Sequence, residues 1–152
     1  LNNYFFNAQL VTVEPKAINN DSIITLQQIH DLNLDENTEA IVIRTLPNNE
    51  HKKSFTYTGT NPPYIDSKVA QFLIDHGVDH LLVDLPSVDK EKDGGALEGH
   101  KAFWQYPKQP RTDCTITELI YVSELIKDGL YLLNLQYQFL HLAQFHFLII
   151  HL

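Results

Sequence analysis

The chain has 152 residues, about the size of one globular domain and long enough to bury a real core. Hydrophobic residues make up 43% of it and charged residues 20%, which excludes wholesale disorder and collagen-like architecture. Nineteen Asp and Glu against 11 Lys and Arg leave a formal charge of −8, a balance that repels phosphate backbones and anionic lipid and argues against nucleic-acid or membrane partners.

Residues 8–14 alternate apolar and polar side chains up to Pro15 and predict a strand. Thr25 with Gln28 three residues on predicts a capping box that opens a short helix to about Leu32. Residues 40–46 are a compact β-branched run, a buried strand. Residues 47–63 collect prolines, asparagines and a charged cluster and predict a long loop of the kind that borders sites.

Asp66 is a suitable N-cap for a helix to His76, stopped by Gly77, with Val69, Phe72, Leu73 and His76 on its packed face. Residues 80–85 predict a buried strand, 87–95 a polar loop and 97–104 a short helix. Residues 114–122 and 130–136 are two more strand candidates. Strands interleaved with helices, without an internal repeat or linker, predict one α/β domain over residues 1–152. After Asp128 no Lys, Arg, Asp or Glu follows, but Asn134, Gln136, Gln138, Gln144 and three histidines interrupt the apolar tail too often for a membrane span. The single Cys114 cannot form an internal disulfide, which fits a reducing compartment such as the cytoplasm, or simply a core large enough to need no staple.

Chemistry is most visible where a residue breaks its local pattern. Alternation along residues 114–122 puts Glu118 on one face with Ile116, Ile120 and Val122. A carboxylate there is costly unless it is paired, hydrogen-bonded or bound to a metal; the plainer reading is a strand-end glutamate that reaches solvent or a lysine. His100 sits in a stripe with Ala96, Leu97, Phe103 and Trp104 at helical spacing, either as a satisfied core histidine or as a ligand. Imidazole plus carboxylate is a common mixed ligand set for zinc or manganese, but a catalytic zinc normally takes three protein groups. Residues 84–89 leave a strand for a loop, a favoured place for chemistry in α/β folds and equally an ordinary turn. No P-loop, GxGxxG or nucleophile elbow is present, so Ser87 has little support as a nucleophile.

Three runs then carry a resemblance: Gly77-Val-Asp-His-Leu-Leu-Val-Asp-Leu-Pro-Ser-Val-Asp89, Gly95-Ala-Leu-Glu-Gly-His100-Lys-Ala-Phe-Trp104 and Thr115-Ile-Thr-Glu118-Leu-Ile-Tyr-Val122. In this order they resemble the cyclase family of metal-dependent hydrolases, which includes the kynurenine formamidases (arylformamidases) of tryptophan catabolism. The resemblance spans roughly residues 4–137. It implies a swivelling β/β/α-type fold and a homodimer or larger oligomer. It further implies hydrolysis of a small-molecule amide such as N-formylkynurenine, or of a lactone, through a hydroxide on zinc or manganese. His100 and Glu118 match metal ligands of the family. Asp84, Ser87 and Asp89 match a loop beside the site, and Tyr64 or Trp104 would offer an aromatic wall.

The family's first metal motif, His-x-x-x-His-x-Asp, has no counterpart here: His30, His51, His76 and His80 lack that spacing. With no methionine at position 1, this leads to the expectation that the chain begins after that motif, as the C-terminal portion of a longer domain. Residues 138–152 depart from the family as an apolar tail. The competing expectation is a non-catalytic or truncated relative that serves as a binding or assembly module.

Overall fold

The computed structural model describes residues 4–139 and 146–151. In chain order the elements are β1 (Phe5–Val13), β2 (Lys16–Ile18), β3 (Asp21–Ile24), α1 (Leu26–His30), β4 (Ala40–Thr45), β5 (Tyr64–Ile65), α2 (Lys68–Asp75), β6 (His80–Val83), α3 (Glu98–Phe103), β7 (Thr115–Thr117), β8 (Gly129–Phe139) and β9 (His146–His151). A short 3-10 turn, Glu50–Ser54, lies in the long loop after β4.

The main sheet has six strands in the order β7-β6-β4-β1-β8-β9. β1, β4, β6 and β7 run parallel, with Ala8 opposite Ala40, Ala40 opposite His80 and His80 opposite Thr115. β8 returns antiparallel along β1, and β9 along β8. All six residues of β4 are buried, as expected of a central parallel strand covered on both faces. A three-stranded sheet, β2-β3-β5, lies apart from the main one. The chain is thus α/β, and among the described residues no helix is long and apolar enough to cross a membrane.

Two apolar layers flank the main sheet. On one face Val11, Val13, Ile41, Ile43, Leu81 and Val83 pack under Ile29, Val69, Leu73 and Phe103 from the three helices. On the other, Phe6, Leu10, Val42 and Leu82 meet Leu133, Leu135 and Val122. Each fully buried aliphatic side chain contributes roughly 1.5–3 kcal/mol. Arg44 pins the segment that covers the second face. Its guanidinium donates to Thr12 Oγ1 at 2.9 Å, to the carbonyls of Ser123 and Ile126 at 2.7 and 2.8 Å, and to Asp128 Oδ1 at 2.7 Å.

The local end signals of the helices are present. Thr25 and Gln28 form a reciprocal capping box on α1. Gly77, at φ +75°, closes α2 in a Schellman arrangement: its N–H donates to Ile74 O and that of Val78 to Leu73 O. Ser67 directly precedes α2 with helical backbone and makes no side-chain cap bond, and the capping bond comes from Asp66, whose Oδ1 accepts from Lys68 N–H at 3.0 Å.

The strand expected over residues 114–122 is limited to β7. Leu119 takes a left-handed conformation at φ 57°, and its N–H donates to Leu85 O while that of Ile120 donates to Val83 O. The chain therefore leaves the ladder after Thr117. Ile116 packs against the helix-side core, whereas Ile120 and Val122 pack on the opposite layer, so the shared apolar face inferred for Glu118 does not form. Within the uncharged tail, residues 146–151 are a strand paired with β8; residues 140–145 and 152 lie outside the described residues.

Candidate metal centre

The C-terminal ends of β6 and β7 and the start of α3 bring three side chains together. Glu118 follows β7 directly, Asp89 lies six residues beyond the end of β6, and His100 is the third residue of α3. His100 Nδ1 is 2.6 Å from Asp89 Oδ2, and His100 Nε2 is 3.4 Å from Glu118 Oε1. Their side chains are mostly buried, with exposures of 19% for His100, 7% for Asp89 and 26% for Glu118.

Each carboxylate is held by backbone donors. Glu118 Oε1 accepts from Val88 N–H at 2.8 Å, and Asp89 Oδ1 from Gly99 N–H at 2.5 Å. Ser87 Oγ accepts from Asp89 N–H at 3.1 Å and so shapes the turn that aims Asp89. Gly99 is needed for this approach, because a Cβ there would lie 2.8 Å from Asp89 Oδ1. Leu97, just before α3, and Leu119, just after Glu118, are both left-handed at φ 49° and 57°. Strained backbone of this kind costs about 1–3 kcal/mol per residue and clusters at functional sites.

The Asp89 contact determines what the imidazole offers. A carboxylate on Nδ1 makes that nitrogen the donor and leaves the Nε2 lone pair pointing at Glu118, a second acceptor. Two acceptors in opposition repel. A cation between them, a proton or a metal ion, turns the opposition into attraction. Two ligand atoms on a tetrahedral zinc, each at about 2.1 Å, lie about 3.4 Å apart, so the pair fits two corners of such a site. Among the described residues no group of three or more His, Cys, Asp or Glu side chains could hold a metal ion, because Asp89 stands behind His100 rather than beside it.

Of the other residues singled out from the sequence, Asp84 lies away from this cluster, whereas Trp104 and Tyr64 border it. Asp84 is fully enclosed at the end of β6, where Thr45 N–H and Oγ1 donate to it at 2.9 and 2.8 Å and Lys52 Nζ at 2.8 Å. Trp104 packs beside His100, ring centroids 5.2 Å apart, and its Nε1 donates to Cys114 O at 3.2 Å. Burial pushes the Cys114 thiol up to about 11, so it is a poor nucleophile. Tyr64 donates to Asp21 Oδ2 at 3.3 Å. With Ser67, Asp89, Lys90, Asp93 and Gly99 it lines a cavity of about 230 Å³, which the His100 cluster borders through Asp89 and Gly99. The Lys90 ammonium and Asn61 amide hold Asp21 below the usual carboxylate range. Lys52 had drawn no attention in the sequence: a lysine in a polar loop gives no sign that it will turn inward.

Comparison with known proteins bears on this arrangement. In fold, the chain is similar to a solved "potential metal-dependent hydrolase with cyclase activity", with a TM-score of 0.60 and 14% identity over 95% of this chain and 62% of that one. It is also similar to a "predicted metal-dependent hydrolase from Bacillus stearothermophilus", with a TM-score of 0.59 and 14% identity over 89% and 57% of the two chains. The chain therefore spans only about three fifths of the length of these structures. Residues 1–90 match the family model Cyclase, described as "Putative cyclase". The chain belongs to the Cyclase family. The matched stretch contains Tyr64, Asp84, Ser87 and Asp89, while His100, Trp104 and Glu118 follow it. Among curated proteins none matches.

Proposed function

We propose that this protein is a metal-dependent hydrolase that cleaves an amide of the arylformamide kind, N-formylkynurenine-like, or a lactone, with His100 and Glu118 as two of its metal ligands. The observation that carries the reading is the opposition of His100 Nε2 and Glu118 Oε1 at 3.4 Å, with Nδ1 locked on Asp89. Family membership and the described metal dependence of the two fold relatives support it.

Zinc or manganese, when bound, lowers the pKa of its water toward about 7 and polarises the scissile carbonyl. The chain's own residues do the rest. Asp89 keeps the proton on Nδ1 and fixes the ring plane, a role that raises the basicity of a metal-binding histidine. Val88 N–H restrains Glu118 so that its carboxylate does not swing toward solvent. The remaining ligands come from groups outside the described residues, and a homodimer or larger assembly would be one source of them.

Elemental mass spectrometry after dialysis tests this. We expect near-stoichiometric zinc or manganese in the wild type, falling several-fold in His100→Ala and in Glu118→Gln. A wild-type chain that neither carries nor takes up either metal would overturn the reading. The presence of only two such ligands among the described residues would then favour a binding or assembly module.

A further inference from the structure

The C-terminal ends of β4 and β6 border a second cavity, about 220 Å³, which His100 and Glu118 do not line. Its wall is mostly apolar, from Leu46, Pro47, Phe55, Tyr57, Pro63 and Leu85, with Thr45, Asn49, His51 and Lys52 completing it. Leu46 and Phe55 are each 42% exposed, so water lies against apolar surface that a ligand would cover. An aromatic corner is already assembled. Phe55 meets Tyr57 edge to face with centroids 4.9 Å apart, and His51 meets Phe55 at 5.4 Å.

Lys52 brings a cation to this wall, but the cation is spent. Its Nζ donates to Thr45 O at 2.6 Å, to Thr45 Oγ1 at 2.8 Å and to Asp84 Oδ2 at 2.8 Å. An ammonium has three N–H donors, so none is left for an anionic ligand. Asp84, for its part, is enclosed by Thr45 and Lys52. Burial, reinforced by the Asp84 carboxylate, pushes the Tyr57 phenol above its ordinary value and keeps it neutral. Asn49 and His51 also line the cavity, but with Lys52 spent it offers a charged ligand no permanent countercharge to replace its hydration.

We propose that this cavity is a binding site for an uncharged aromatic ring. The site rests on its own geometry and stands apart from the metal reading. Methyl-labelled full-length chain, followed by NMR, tests it with benzyl alcohol, benzoate and benzylamine as probes. We expect saturable shifts of the Leu46 and Leu85 methyls with benzyl alcohol, and binding weaker by about tenfold or more for the two charged probes. Phe55→Ala, a change at an exposed ring, should weaken benzyl alcohol roughly three- to tenfold while leaving the remaining spectrum in place. Unsaturable shifts, equal binding of the charged probes, or a Phe55→Ala variant that binds as wild type would overturn the proposal. None of these readouts depends on metal or turnover.

Discussion

His100 is anchored to Asp89 through Nδ1 at 2.6 Å, and that single contact decides which nitrogen it presents to Glu118. Asp89→Asn keeps the shape and removes the charge that fixes the tautomer. We expect zinc or manganese affinity to fall roughly 10- to 100-fold, as when the partner of a metal-binding histidine is removed elsewhere. Chelator competition measures it, and unchanged affinity would show that Asp89 does not position the ring.

Gly99 is the helical residue against which Asp89 rests. Intrinsic helix propensity favours Gly99→Ala by about 1 kcal/mol. The new Cβ, however, would stand 2.8 Å from Asp89 Oδ1 and 3.4 Å from Val88 Cγ2. Overpacking of this kind typically costs about 1–3 kcal/mol, so the clash should win and the variant should be less stable in urea. In an Asp89→Ala background the same substitution should cost less, since the atom it strikes is gone. Equal costs in both backgrounds would refute the close approach.

The Lys52–Asp84 pair spans the ends of β4 and β6, with side-chain exposures of 16% and 0%. Breaking a buried pair leaves an uncompensated charge, and Lys52→Met should destabilise the fold by about 3–5 kcal/mol. Lys52→Met combined with Asp84→Leu should recover part of that loss. A single-variant cost below about 1 kcal/mol in equilibrium unfolding would mean that Asp84 is adequately held by Thr45 alone.

His80 supplies an acid limit to stability. Burial against Phe6, at 4.0 Å between ring centroids, lowers its pKa below the ordinary 6.5; Asp79 and Glu39 oppose that shift and Arg111 adds to it. The neutral ring also pairs with Thr115 Oγ1 through Nδ1 at 2.9 Å. Because the folded state binds the proton less readily than the unfolded one, the contribution is complete above about pH 6.5 and is lost as pH falls toward the folded value. Denaturation midpoints should therefore drop between about pH 7 and 5, and His80→Gln should flatten that limb. A wild-type profile as flat as the variant's would refute the assignment.

Much of the fold was legible because its signals are local. The Thr25–Gln28 capping box and the Gly77 stop act within a helical turn, and the apolar run of β4 and that of β6 need only be buried somewhere. The small β2-β3-β5 sheet was not legible. Its strands are two to four residues long, too short for a period to show. The alternation read through Glu118 misled for a related reason: it assumed one continuous strand, and the left-handed turn of the backbone at Leu119 breaks the alternation.

The sequence by itself singled out a histidine among aromatics at His100, and it singled out Glu118 on an alternation that the fold does not keep. A charge or imidazole in an apolar pattern has a cost that can be read without coordinates. Only the tertiary structure decided what those groups meet. Asp89 reaches His100 from eleven positions away, and Lys52 reaches Asp84 from 32 positions away. Such pairs depend on parallel register and on where each crossover sets the chain down, and neither leaves a mark in a local window of sequence.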